Sequence, residues 1–381
     1  MIVAVKYMKK LGIYIHVPFC RAKCLYCDFC SHPPRNGEKT EYVEALKRQI
    51  ASYRERFCGY TADAVYFGGG TPTLLSSDQL GGILDALRAS ITVSEDAEIT
   101  SECNPATVDR TALTKLRAAG INRLSIGAQS FNDDELCALG RLHNAANVTS
   151  TFDDARAAGF DNISLDLMYG IPRQTRDSWQ ATLDAAIALS PEHISAYGLR
   201  VEQGTPFGTM GDSLVLPDEN LTAQMYLDAT ERLEQAGIYQ YEISNFACRG
   251  RESRHNIKYW KCDEYVGFGV AAHSYFDGER YAAPTDIDSF VSGKFIDEQS
   301  VARVDEHEAE VEFVMLAMRL RDGLRCEEYR KRFGIDPAEK YTPRFAPYVV
   351  SGHVVADERG YRFTREGMLV SNYILSDVLD L

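Results

Sequence analysis

No stretch of this 381-residue chain approaches the ~20 uninterrupted apolar residues that a spanning helix needs, so no membrane-crossing segment is expected. An excess of positive charge is also missing. Lys and Arg number 41 against 55 Asp and Glu, a formal charge of -14, which argues against a general nucleic-acid binder and against standing attachment to anionic lipid. The opening run MIVAVKYMKKLGIYIHV has only a short apolar stretch before His16 and Pro18 and no small-residue cleavage pattern, so it reads as no signal peptide. No internal repeat or low-complexity tract stands out. The expected location is the cytoplasm, with transient contact as the only association with a membrane. What is present is 45% hydrophobic residues, ordinary for a soluble globular protein, in a chain too long for one small core; one large domain plus a smaller appendage is expected.

Ten cysteines in such a compartment are not expected to pair, because cytoplasmic thiols are kept reduced. Their distribution is uneven: four fall between Cys20 and Cys30, while Cys58, Cys103, Cys137, Cys248, Cys262 and Cys326 are scattered. The scattered ones read as small buried hydrophobes. The cluster needs an explanation of its own.

Short apolar, β-branched runs recur at Gly12 to Val17, Ala64 to Phe67, Glu98 to Glu102, Arg123 to Gln129, Asn162 to Met168 and His193 to Leu199. Longer segments with helical spacing separate them, such as Tyr42–Leu46–Ile50 and Leu80–Ile83–Leu84–Leu87. Strand followed by helix, six times over, predicts a parallel sheet, and six units are fewer than the eight of a complete barrel. The fold expected is α/β, a partial (β/α)6 TIM-type barrel, with a doubly wound sheet as the alternative. Polar groups gather at one rim: Cys20 after the first strand, Gly68–Gly69–Gly70–Thr71 after the second, Glu102 and Gln129 at the ends of the third and fourth, and Asp166 late in the fifth. In barrel-like folds that rim is the active-site mouth.

The pattern changes beyond about Gly250. Glu306 to Leu320 is helical with Val311, Val314, Met315 and Met318 on one face, a second helix lies near Cys326 to Phe333, and a strand-like pair follows at His353 to Val355 and Tyr361 to Phe363. This predicts a small α+β unit, of winged-helix type but in acidic surroundings that do not suit DNA. The expected division is 1–248 for the partial barrel and 249–381 for the C-terminal domain.

His16-Val-Pro-Phe-Cys20-Arg-Ala-Lys-Cys24-Leu-Tyr-Cys27 puts three thiols within eight residues, close enough for one loop to wrap one inorganic centre. A [4Fe–4S] cluster usually takes four thiolates, so three leave one iron open to the amino and carboxylate groups of S-adenosylmethionine. Zinc, with Cys30 or His32 as a fourth ligand, is the alternative, although the second Cys-x₂₋₄-Cys knuckle common in structural zinc sites is missing.

Cys-x3-Cys-x2-Cys after the first strand, followed by Gly68–Gly69–Gly70–Thr71–Pro72–Thr73, resembles the radical S-adenosylmethionine superfamily. The resemblance runs on through Glu102-Cys-Asn-Pro105, Leu124 to Asn132, Gly140-Arg141-Leu-His143 and Leu165 to Pro172, which are similar to the coproporphyrinogen III dehydrogenase and haem-chaperone group. It implies that Cys20, Cys24 and Cys27 hold the cluster and that Tyr14, Gly69 and Glu102 touch the cofactor. It also implies that Gly70, Thr71, Gln129, Arg141 and Asp166 hold S-adenosylmethionine or lie beside it. Glycine would let the backbone come close to the cofactor's amino group, carboxylates suit ribose hydroxyls, and Arg suits a carboxylate.

Two departures are expected to set the chain apart from the dehydrogenases: Phe29 stands where they carry a further cysteine, with Cys30 one place later, and they have an N-terminal arm before the first strand, whereas here the strand is read as beginning near Gly12. His255-Asn256-Ile-Lys-Tyr259-Trp260 instead resembles the HNxxYW motif of the haem-chaperone branch, as does Gly267 to Ser274. The resemblance makes His255 the leading haem ligand, since imidazole can bind iron and flat aromatics can cover a porphyrin; docking of the small domain is the other role such residues take. Cys30 reads as an unligated thiol. The function implied is a haem chaperone that passes haem to an acceptor such as a respiratory protein, with a flavodoxin- or ferredoxin-type electron donor. Oxidative decarboxylation of coproporphyrinogen III, or radical chemistry on another tetrapyrrole, is the enzymatic alternative, and a zinc-bearing binding module the third.

Overall fold

The computed structural model describes residues 8–381; the first seven, on which the reading of the chain's start partly rests, lie outside the described residues. Six parallel strands form the centre: β1 (Lys9–Val17), β2 (Tyr60–Gly69), β3 (Thr92–Cys103), β4 (Arg123–Gln129), β5 (Ile163–Tyr169) and β6 (His193–Gly198), paired in chain order. Between and after them run the helices Glu38–Ser52, Ser77–Ser90, Arg110–Ala119, Ala145–Ala157, Arg176–Ala188 and Glu219–Gln235. Several of their starts are written locally: Ser76 with Gln79, Asn144 with Asn147 and Thr175 with Ser178 form reciprocal caps that satisfy backbone N–H groups the first turn leaves orphaned. Every second strand residue turns outward under these helices, and Ile13, Ile15, Val65, Phe67, Leu124, Ile126, Leu165, Leu167 and Ile194 are all fully buried in one continuous core. Trp179, fully buried in that core, donates from Nε1 to the carbonyl of Met225 at 2.8 Å and so ties the sixth-strand helices together.

The sheet does not stop at six strands. Beyond β6 it continues with β8 (Asn245–Ala247) and then β7 (Tyr239–Gln240), both antiparallel. On the opposite edge β9 (Tyr265–Phe268) pairs parallel with β1, followed by antiparallel β10 (His273–Phe276), β11 (Glu279–Ala282) and β12 (Asp297–Arg303). Among the described residues the order has two ends, β12 and β7, so the barrel is partial. The expected division at residue 249 is therefore not where the sheet changes: residues 265–303 extend the large sheet. A second apolar core gathers further on, around Phe313, Val314, Met318, Tyr329, Tyr341, Phe345 and Ile374. It is built from the helices Glu306–Ala317, Cys326–Phe333, Pro337–Val350 and Ser371–Leu379 against β13 (Leu324–Arg325), β14 (Val354–Asp357) and β15 (Gly360–Phe363). The order helix, strand, two helices, two strands is that of a winged-helix unit. Among the described residues no helix is long and apolar enough to cross a membrane.

Trp179→Ala should lower the free energy of unfolding of the sheet by ~3–5 kcal/mol, the usual cost of emptying a large aromatic site, read as a lower urea midpoint for the first transition.

Candidate functional site

Parallel strands covered on both faces usually read as unbroken apolar runs. Here the inner face is polar. Alternation points Tyr66 of β2, Glu98 and Glu102 of β3, Arg123 and Ser125 of β4, Ser164 and Asp166 of β5, and His193, Ser195 and Tyr197 of β6 to the same side. Above them opens a cavity of about 330 Å³ whose lining includes Cys20, Cys24, Cys27, Gly69, Gly70, Glu102, Gln129, Arg141 and Asp166. The structure thus brings most of the expected site residues round one space.

The cysteine loop is clamped at both ends. Cys20 N donates to His32 O at 3.0 Å and His32 N to Pro18 O at 2.9 Å, while Gly70 N and Thr71 N reach the carbonyls of Val17 and Phe19 at 2.9 and 2.7 Å. His16 locks the return of the loop, with Nε2 2.8 Å from the carbonyl of Cys30. A carbonyl only accepts, so Nε2 carries the proton and Nδ1 accepts from the Tyr14 hydroxyl at 3.0 Å. Burial pushes the Cys27 thiol above its ordinary range, a penalty that coordination to iron would relieve. The Cys30 sulfur points elsewhere, 3.7 Å from the carbonyl of Thr285, and is not part of the cavity lining.

Glu102 faces the cavity with Oε1 accepting from the Tyr66 hydroxyl at 3.0 Å and Oε2 from Gly69 N at 3.1 Å. Burial, reinforced by the neighbouring Asp166, pushes its carboxyl up to about 8. Asp166 lies at mid-strand rather than late in β5; Ser125 and Ser164 donate to it at 3.0 and 3.2 Å, and burial raises it as well. Gly69 has φ +106°, and a Cβ there would sit 2.5 Å from the His16 ring; one on Gly70 would lie 2.6 Å from Phe19 O. The glycines were expected to make room for a cofactor, and they also make room for the chain's own first strand and loop. Thr71 is buried, its hydroxyl accepting from Asn104 at 2.8 Å and lying 3.6 Å from Cys20 Sγ.

Among the described residues Arg141 has no carboxylate partner. Its Nη2 donates to Asn104 Oδ1 and Gly127 O, both at 2.8 Å, its Nη1 reaches Cys24 Sγ at 3.4 Å, and its Nε is buried with no partner. A Cβ on Gly127 would come within 3.0 Å of both Asn104 Oδ1 and Gln129 Nε2, so the missing side chain is what lets these polar groups converge. Gln129 itself sits at φ +66°, a sparsely populated conformation for a non-glycine residue and one that clusters at functional sites.

These groups fit an open-iron cluster with S-adenosylmethionine. Three thiols stand at the mouth, carboxylates that favour cations and hydroxyls lie inside, and an under-satisfied guanidinium sits beside Cys24. Among the described residues no three His, Cys, Asp or Glu side chains are already gathered as a single-ion site; a cubane, with a body of its own, takes its ligands at separate corners. Sequence reasoning missed Tyr66, Asn104, Arg123, Ser125, Ser195, Tyr197 and Asn256, all in the lining. The alternation in Arg-Leu-Ser-Ile-Gly-Ala-Gln from Arg123 is the signal that could have found Arg123 and Ser125.

His255 is the residue whose place differs most from expectation. It is 1% exposed and outside the cavity lining, with Nε2 2.8 Å from the Tyr259 hydroxyl and Nδ1 buried without a partner. Burial lowers its pKa to about 3, so it stays neutral. In this arrangement the ring is buried beneath its aromatic neighbours.

Residues 14–186 match the family model described as the radical SAM superfamily, and residues 304–370 that of the HemN C-terminal domain. The chain is 34% identical to the haem chaperone HemW of Bacillus subtilis over 96% of its own length and 98% of that protein's. It is 33% identical to HemW of Escherichia coli K12, over 96% and 97%. Its fold superimposes on that of coproporphyrinogen III oxidase (HemN) from Escherichia coli with a TM-score of 0.86, at 22% identity and covering 99% of this chain and 91% of that one.

Replacing Cys20, Cys24 or Cys27 by Ala should abolish the iron–sulfur absorption of anaerobically reconstituted protein, while Cys30→Ala should keep it and bind about four irons per chain. Iron and sulfide analysis beside the visible spectrum checks both. A pH test bears on Glu102. Its folded-state pKa of about 8 lies above that of an exposed carboxyl, so the free protein holds the proton until the pH passes that value. A cation or ribose hydroxyl bound beside it favours the ionised form, and binding then releases a proton. S-adenosylmethionine affinity should therefore rise from roughly pH 6 to about 8, by at most ~10-fold per pH unit, and level off above. Glu102→Gln should flatten that profile in an equilibrium titration.

Proposed function

This chain belongs to the HemW family of the radical S-adenosylmethionine superfamily, and on that premise we propose that it binds haem and hands it to an acceptor protein. As a member of the superfamily it uses a [4Fe–4S] cluster and S-adenosylmethionine. The cluster, when bound, supplies one-electron reduction of the cofactor's sulfonium. Cys20, Cys24 and Cys27 are the residues we assign to the cluster. Tyr14, Gly69, Gly70, Thr71, Glu102, Gln129, Arg141 and Asp166 are assigned to the cofactor and its immediate surroundings. Glu102 and Asp166 would offer acceptors inside the cavity, and Arg141 would hold Cys24 and the adjoining carbonyl of Gly127 in place.

The observation that carries the chaperone reading is correspondence with HemW along the whole chain, whereas the likeness to the oxidase, at 22% identity, is one of fold. The cysteine loop agrees with it: at Phe29, where the dehydrogenases carry a further cysteine, an aromatic ring stands 59% exposed beside the cavity mouth. An exposed apolar ring suits contact with a flat apolar ligand or partner better than redox or metal chemistry. The acceptor would be a respiratory haem protein, and the electron donor a small flavodoxin- or ferredoxin-type carrier.

Reconstituted protein should retain haem through gel filtration under anaerobic conditions, and should transfer it to an apo-haem acceptor. It should leave coproporphyrinogen III unconverted in the presence of a strong reductant and excess S-adenosylmethionine. Formation of protoporphyrinogen in that assay would replace the chaperone reading with the decarboxylase one.

A further inference from the structure

The helix Arg254–Trp260 lies across the middle of β1 and β2 and meets β3 at Glu98. Arg254 N donates to Glu98 Oε1 at 2.9 Å, and Lys258 Nζ meets Asp63 Oδ1 at 2.8 Å, with the two side chains only 6% and 13% exposed. Gly12 of β1 makes that seat possible, since a Cβ there would come 2.8 Å from Lys258 Cδ and 3.6 Å from His255 Cε1. Asn256, the next residue, reaches the cavity lining. The helix is a floor under the cavity.

His255 is the part of that floor nearest the strand-borne aromatics. Its ring stacks on Tyr66 at 5.3 Å and 25°, and on Tyr14 at 6.2 Å and 26°, and it meets Tyr259 edge-on at 4.8 Å. Tyr66 is the residue whose hydroxyl holds Glu102 Oε1, and Tyr14 is the one whose hydroxyl is held by His16. A buried N–H without a partner is rarer than a buried lone pair, so the proton belongs on Nε2, which donates to Tyr259, and Nδ1 carries the lone pair. The ring is fixed by one hydrogen bond and three aromatic contacts.

We propose that His255 is a positioning residue of the S-adenosylmethionine site: its ring sets the planes of Tyr66 and Tyr14 and, through the Tyr66 hydroxyl, the orientation of Glu102. The inference rests on the assignment of Glu102 to the cofactor made above. It gives the C-terminal part of the chain a direct part in building the cofactor site, and it separates that part from iron ligation.

The test uses full-length protein, reconstituted anaerobically, with S-adenosylmethionine binding read from the change it causes in the electron paramagnetic resonance of the reduced cluster, and with haem retention measured in parallel. His255→Ala should weaken S-adenosylmethionine binding on the order of tenfold with iron content unchanged. His255→Phe, which keeps a stacking ring but cannot ligate iron, should restore affinity to within about threefold of wild type and leave haem retention unchanged. Loss of haem from His255→Phe with S-adenosylmethionine binding intact would make His255 a haem ligand and overturn the proposal. Wild-type binding by His255→Ala, alongside weakened binding by Glu102→Gln, would remove the positioning role alone. Wild-type binding by Glu102→Gln would remove the assignment beneath it. If His255→Ala does not accumulate as folded protein, Tyr66→Phe probes the same link, because it keeps the stack and deletes only the hydroxyl. It should weaken binding, and unchanged affinity would overturn the proposal.

Discussion

A carboxylate buried next to another carboxylate is the constraint around which this molecule is arranged. Glu102 and Asp166 sit on adjacent layers of the inner face, desolvated, with serine and tyrosine hydroxyls and a backbone N–H as their partners. Removing such groups from water is costly unless hydrogen bonds or counter-charges compensate. The fold compensates partially, with hydrogen bonds and with the Arg123 guanidinium on the same face, and both carboxyls stay raised above their ordinary range. A cation bound beside them would favour their ionised forms. The outer face, under its ring of helices, is apolar apart from residues such as Ser101, because most of the polar side chains of the sheet are gathered inside.

The same economy governs the cysteine loop. Its thiols must be accessible at the cavity mouth, yet the loop has to hold its shape without a disulfide. The clamp comes from backbone bonds to Pro18, Phe19 and His32, from His16 reaching the Cys30 carbonyl, and from the glycine turn packed on His16 and Phe19. Loop, turn and first strand form one unit, so an added side chain at Gly69 would disturb cluster and cofactor together. Specificity of geometry is obtained here from close backbone approach rather than from long side chains.

Much of this was legible in the sequence, and for identifiable reasons. The run Arg123 to Gln129 is the observed fourth strand, and Cys326 to Phe333 is an observed helix, because each is bounded by strong local signals. The cysteine spacing placed three residues at one mouth. The extension of the sheet by residues 265–303 was hidden: three of its strands are only four residues long and carry almost no periodic signal, and the pairing of Gly12 with Tyr265 is a contact that no local pattern encodes. The surroundings of His255 were hidden for a related reason. A histidine among aromatics has one composition whether it faces a porphyrin or lies beneath two tyrosines, and only the tertiary arrangement tells these apart. Asp166 was read late in its strand and sits at the middle of it; its serine neighbours on the same face are what make mid-strand burial tolerable.

The parallel pairing of β9 with β1 has a bearing on how the chain is made. On a ribosome the first six strand–helix units emerge, and can pair in order, long before residue 265 does. Until then β1 presents a bare edge of backbone donors and acceptors, flanked by the thiol loop, and the floor beneath Tyr14 and Tyr66 is open. Unpaired edges of this kind invite adventitious strand addition, and half-built thiol sites invite oxidation. The nascent chain therefore passes through an interval of exposure that ends only when residues 254–268 have emerged and docked.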